Sequence, residues 1–173
     1  MTAEEIARHL AAARISLPVH HVAALQHSAV ERSLTAGEVL LREGEPSSTL
    51  YIVCDGELVV SVDAGTEIGR CGTGSIVGEV SLLDREPASA TLTASRPSTL
   101  LAIDRTAFDA LYRHDPQAAT ALLRALCLAL AARVRASSDL LESLSTDGEP
   151  TPAKRASLLA VLRSLFIGAK EAT

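Results

Sequence analysis

Gly78 and Glu79 open the stretch GEVSLLDREPASAT, in which a glycine and a carboxylate precede a short apolar run, followed by Pro87 and a Ser-Ala-Thr strand opening. A short helix starting at Glu79 and Val80 would aim unpaired backbone N–H groups and a partial positive charge at an anion. Gly78, with no side chain, would let that anion approach the backbone. The candidate ligand-binding set is Gly78, Glu79, Val80, Ala88, Ser89, Ala90 and Thr91, and its chemistry is that of a phosphate cradle.

Catalytic constellations are missing, and no enzyme activity is expected. GTGSIVG, residues 72–78, lacks the Gly-x-Ser-x-Gly spacing of a nucleophile elbow and matches neither a dinucleotide fingerprint nor a P-loop. His20 and His21 are adjacent rather than four apart on a helix face, and His9, His27 and His114 are scattered, so no metal site is expected. Cys54, Cys71 and Cys127 lie far apart, and an odd count suits reduced, buried thiols.

The elements that must position the cradle are mostly strands. VERSL, EVLLRE, TLYIVC, ELVVSV, TEIGRC, ATLTAS and STLLAID are short runs separated by turn signals, and such spacing predicts an all-β jelly roll, sandwich or barrel of about eight strands. Asp55-Gly56 reads as a two-residue hairpin turn with both φ angles positive, joining TLYIVC to ELVVSV.

Helices flank this body. Thr2 with Glu5 has capping-box spacing, with Ile6, Leu10 and Ala13 on one face. A second short helix is expected over residues 19–26, with Val22 and Leu25 inward. Asp104 can cap a helix whose Phe108, Leu111 and Tyr112 face the barrel, and Asp115-Pro116 can start a long helix reaching about Leu144. That helix carries Ala119, Leu123, Leu126, Leu130, Leu140 and Leu144 at near-heptad spacing, broken by Arg133 and Ser137. The stripe predicts a homodimer seam at Leu123, Leu126, Leu130, Leu140 and Leu144, the alternative being an ordinary helix lying on its own barrel.

STDGEPTP is a linker by composition. Thr151 and Pro152 can start a last helix with Leu158, Val161, Leu162, Leu165 and Phe166 on one face, ended by Gly168. Its Lys154, Arg155, Arg163 and Lys170 make it basic, a surface for a protein partner or for the chain's own acidic body. The organisation expected is N-terminal helices over 1–28, a roll with its closing helix over 29–144, a linker over 145–152 and an amphipathic helix over 153–173.

The 173 residues suit one domain with a helical appendage. Lys and Arg number 16 against 21 Asp and Glu, a net charge of −5, so no DNA partner is expected. There is no apolar run of about 18 residues, and MTAEEIARHL opens acidic, so neither membrane insertion nor a leader is expected and the location expected is the cytoplasm.

Together, the Gly37, Gly44 and Gly56 turns around EVLLREGEPSSTLYIVCDGELVV, the cassette from Gly78 and the closing long helix resemble the cyclic nucleotide-binding domains of catabolite-activator-type regulators, kinase regulatory subunits and gated channels. The resemblance covers about residues 15–144. It implies that Glu79 accepts a hydrogen bond from the ribose 2′-hydroxyl, that Ser89 donates to the cyclic phosphate, and that an arginine at position 88 holds the phosphate charge. Ala88 stands there instead. The function expected is therefore a regulatory module without a DNA-binding domain and with a degenerate cassette, acting through protein contacts or dimerisation and binding cyclic AMP or cyclic GMP weakly or not at all. The alternative is a working sensor of either nucleotide in which Arg85 or Arg70 replaces the missing arginine.

Overall fold

A computed structural model describes residues 2–13, 22–23, 29–63 and 65–146, without the side chains of 129, 133, 136, 137 and 139–146. The elements are α1 (Ala3–Ala12), β1 (Val30–Leu34), β2 (Val39–Leu41), β3 (Thr49–Asp55), β4 (Glu57–Val62), β5 (Thr66–Gly72), β6 (Ile76–Val77), α2 (Glu79–Asp84), β7 (Thr91–Ala94), β8 (Ser98–Asp104), α3 (Arg105–His114) and α4 (Pro116–Thr146). The strands form two four-stranded sheets, ordered β1-β8-β3-β6 and β2-β7-β4-β5, with every pairing antiparallel. This is the expected mainly-β jelly roll.

The unbroken apolar runs in β3 and β8 have a packing cause. Leu50, Ile52, Cys54, Leu101 and Ile103 face α1, α3 and α4, in one cluster with Ile6, Leu10, Phe108, Leu111 and Leu122. Their alternates Tyr51, Val53 and Leu100 face the interior of the roll, where they meet Leu34, Leu40, Leu58 and Leu92. Strands covered on both faces cannot show alternation, so they read as continuous hydrophobic stretches.

The helix caps are those the sequence indicates. Thr2 and Glu5 close a reciprocal capping box. Asp104 accepts from the Ala107 N–H at 2.7 Å, and Asp115 from the Ala118 N–H at 3.0 Å. Of the helix expected over 19–26, only Val22, which is buried, and Ala23 are described, both helical, and Leu25 lies outside the described residues. α4 continues through Ser145 and Thr146, the first two residues of the linker expected over 145–152; the rest of that linker and the helix expected over 153–173, with Leu158, Val161, Leu162, Leu165 and Phe166, lie outside the described residues.

Four expectations need correction. Asp55-Gly56 is not a hairpin, because β3 and β4 belong to different sheets. Asp55 stays within β3, paired with Thr99, and only Gly56 has a positive φ, 99°. A Cβ on Gly56 would fall on the Ser98 side chain, so the glycine serves a corner where the chain changes sheet. The hairpin that does form joins β4 to β5, with Asp63 at φ 49° and Gly65 at φ 128°.

Second, Tyr112 faces outward, 57% exposed, while Phe108 and Leu111 face the core. Third, Cys127 is exposed on α4 and Cys71 half-buried; only Cys54 is buried, which pushes its thiol pKa up to about 11. Fourth, Leu126 is fully buried in this chain's own core beside Ala118, Ala119 and Leu122, so it is unavailable to a partner. Leu123 and Leu130 are half-buried, and the side chains of Leu140 and Leu144 lie outside the description. No described helix is long and apolar enough to cross a membrane.

Candidate functional site

The cassette begins at Gly78, which follows the two-residue strand β6. Gly78 has φ 77°, a left-handed conformation that costs other residues strain, and a Cβ there would run into the Thr49 carbonyl oxygen. Its missing side chain thus seats the cassette against the start of β3 rather than opening that side to a ligand. Glu79 begins the six-residue helix α2 and is 1% exposed, Val80 is half-buried, and Ser81 and Leu82 are buried. Among the described residues no buried side-chain oxygen or nitrogen lacks a hydrogen-bond partner.

The chain leaves α2 through Arg85, left-handed at φ 67°, whose N–H donates to the Ser81 carbonyl at 3.2 Å. It then runs antiparallel to the loop after β2. The Ala88 N–H donates to the Glu45 carbonyl at 2.9 Å, the Gly44 N–H donates to the Ala88 carbonyl at 2.8 Å, and the Glu43 N–H donates to Thr91 Oγ1 at 3.0 Å. Ala88 is 6% exposed, Ala90 is buried, and Ser89 and Thr91 are half-buried. The two glutamates of that loop, Glu43 and Glu45, were not among the candidates. They are separated from Ala88 by more than forty positions, and EGEPSS signals only a turn.

The two candidate compensating arginines differ. Arg70 lies on β5 opposite Val59, and its guanidinium is tied to Glu57 at 2.9 Å and Glu67 at 2.8 Å. The Ser95 hydroxyl and then Arg70 hold the Glu57 carboxyl below its ordinary pKa. Arg85 is exposed at the end of α2. No cluster of three or more His, Cys, Asp or Glu suited to a metal occurs among the described residues.

A family model described as the cyclic nucleotide-binding domain matches residues 31–115, from β1 to the junction of α3 and α4. The N-terminal domain of a transcriptional regulator from Streptomyces coelicolor is 31% identical, with a TM-score of 0.59, over 80% of this chain and 96% of that one. The chain belongs to the cyclic nucleotide-binding domain family. A cyclic nucleotide-binding domain from Methylobacillus flagellatus superposes with a TM-score of 0.73 at 29% identity, covering 86% of each chain. A Rhodopseudomonas palustris protein that carries the name of a potassium channel is 35% identical over 114 residues, which are 64% of this chain. The chain spans only 26% of that relative's length. In this cyclic nucleotide-binding domain Gly78 and Glu79 lie between β6 and β7, and position 88 holds a buried methyl group.

Proposed function

We propose that the chain is a non-enzymatic regulatory module of the cyclic nucleotide-binding fold with a degenerate cassette, which acts through protein contacts or dimerisation. The observation that carries this reading is Ala88. Family resemblance puts the phosphate-holding arginine at that position, and a methyl group offers no charge. A charge-assisted hydrogen bond contributes about 1.5–3 kcal/mol, so losing a bidentate fork costs on the order of a hundred-fold in affinity or more.

The surroundings support the same conclusion. Within residues 42–45 and 78–91, Glu43, Glu45, Glu79, Asp84 and Glu86 stand against Arg42 and Arg85, five acids to two bases. An incoming phosphate meets net negative charge there. The carboxylates paired with Arg70 support leaving it out of the site. The exposure of Arg85 supports the second reading, a cyclic AMP or cyclic GMP sensor in which that guanidinium swings in.

Calorimetric titration of the full chain with each cyclic nucleotide tests the proposal. The expected result is no binding at micromolar concentration, and a gain of at least about ten-fold in Ala88→Arg, roughly 1.4 kcal/mol. Micromolar or tighter binding by the unaltered chain would overturn it.

A further inference from the structure

Glu43 stands where three chain segments meet at the exit of the cassette. β2 pairs with β7 at Val39–Thr93 and Leu41–Leu92 and then stops. Two residues further on, the Glu43 N–H donates to a side chain of β7, Thr91 Oγ1, at 3.0 Å. The Glu43 carboxylate serves a different segment: Oε2 accepts from the Asp63 N–H at 2.8 Å, across 20 positions of sequence. Thr91 is itself paired with Ser61 of β4, two residues before Asp63. The contacts close a ring. It runs from Glu43 to Thr91 through the hydroxyl, from Thr91 to Ser61 across the ladder, along β4 to Asp63, and back through the carboxylate.

The ring joins two places that local structure supports poorly. Asp63 is left-handed at φ 49°, a conformation that costs a residue other than glycine strain. β5, which follows it, lies at the edge of its sheet and has no buried residue. On the other side, residues 85–90 belong to no helix or strand. There, Ala88 is bonded to Gly44 and Glu45, the residues that follow Glu43.

We propose that Glu43 is a positioning residue that pins the tip of the β4–β5 hairpin to the strand leaving the cassette, by the reach of its side-chain oxygen rather than by its charge. The pinning goes beyond the ligand reading and holds whether or not a nucleotide binds.

Hydrogen–deuterium exchange by mass spectrometry on the full chain tests it, read over 60–63 and over 88–92, with β3 as the control for global stability. Glu43→Ala should speed exchange about five-fold in both segments. Glu43→Gln keeps an acceptor oxygen at the same reach and should restore most of the protection. Glu43→Asp keeps the charge but falls one methylene short, and should resemble Glu43→Ala; these two variants decide the matter if Glu43→Ala does not fold. In the Ala88→Arg background, cyclic AMP affinity read by calorimetry should follow the same order, with Glu43→Gln at least as tight as Ala88→Arg alone and Glu43→Ala and Glu43→Asp about ten-fold weaker. If Ala88→Arg binds no cyclic AMP, the ligand reading has lost its predicted gain, and exchange alone decides the pinning. Faster exchange confined to one of the two segments, or protection kept by aspartate and lost with glutamine, would overturn the proposal. So would tighter cyclic AMP binding by Glu43→Ala and Glu43→Gln alike, the result expected of a charge that merely repels the phosphate.

Discussion

The Ala88 N–H is bonded to the Glu45 carbonyl at 2.9 Å, and the Ala88 carbonyl accepts from Gly44, so the backbone at position 88 is fixed from both sides by the loop after β2. A side chain placed there inherits a settled backbone. In the Ala88→Arg background, Glu79→Ala should remove most of the gained cyclic AMP affinity. Should the unaltered chain bind, Arg85→Ala and Arg70→Ala would identify the substitute, with loss expected in Arg85→Ala alone because Arg70 is held by two carboxylates. Isothermal calorimetry reads each case.

Gly78→Ala should cost more stability than Gly37→Ala, although both glycines have positive φ, 77° and 84°. At Gly37 nothing lies within reach of a new Cβ, so only backbone strain of about 1–2 kcal/mol is added. At Gly78 the Thr49 carbonyl must also move. Thermal melts should show a drop of about 2–8 °C for Gly37→Ala and a clearly larger one for Gly78→Ala.

Stability should fall in acid. The carboxyls of Glu5, Glu38 and Glu57 are held below the ordinary value of 4.5, by the Thr2 N–H, the Thr35 N–H and the Ser95 hydroxyl respectively. A lowered folded pKa contributes stability above the unfolded value, and that contribution is lost as pH falls through the folded one. The melting temperature should therefore hold on acidification until about pH 4.5 and decline below it, modestly because all three groups are exposed. Replacing the three by glutamine should shrink the decline, as followed by circular dichroism.

Dimerisation through α4 has a residue-level test. The available seam residues are the half-buried Leu123 and Leu130, whereas Leu126 belongs to the core. We expect a dimer in analytical ultracentrifugation at tens of micromolar, and Leu130→Asp should yield a folded monomer. Leu126→Asp should abolish the cooperative melt instead. A monomeric unaltered chain would refute this assembly.

What the sequence disclosed follows from which interactions are local. Thr2 with Glu5, Asp104 and Asp115 cap helices through contacts three residues away, and the strand runs stand out by composition. Asp55-Gly56 misled because turn chemistry specifies a φ sign, not which sheet the next strand joins. Ile76–Val77 is too short to show a period, so β6 hides among glycines. Spacing alone puts Tyr112 inside, but the inward stripe of α3 is narrower than that. In the site, Gly78 and Glu79 were visible as a local motif, while the pairing of residues 88–91 with 43–45 depends on the closing of the roll.

β8 lies between β1 and β3, with Val30 paired to Ala102 and Leu50 to Ile103. Both neighbours are therefore translated long before the strand that joins them. On the ribosome, β1 and the largely apolar β3 emerge with edges that stay open until residues 98–104 clear the exit tunnel. During that interval the growing chain exposes the kind of unpaired strand that recruits other chains. Synthesis order thus makes the late, central strand the moment of greatest aggregation risk, and slower translation just upstream of Ser98 would lengthen it.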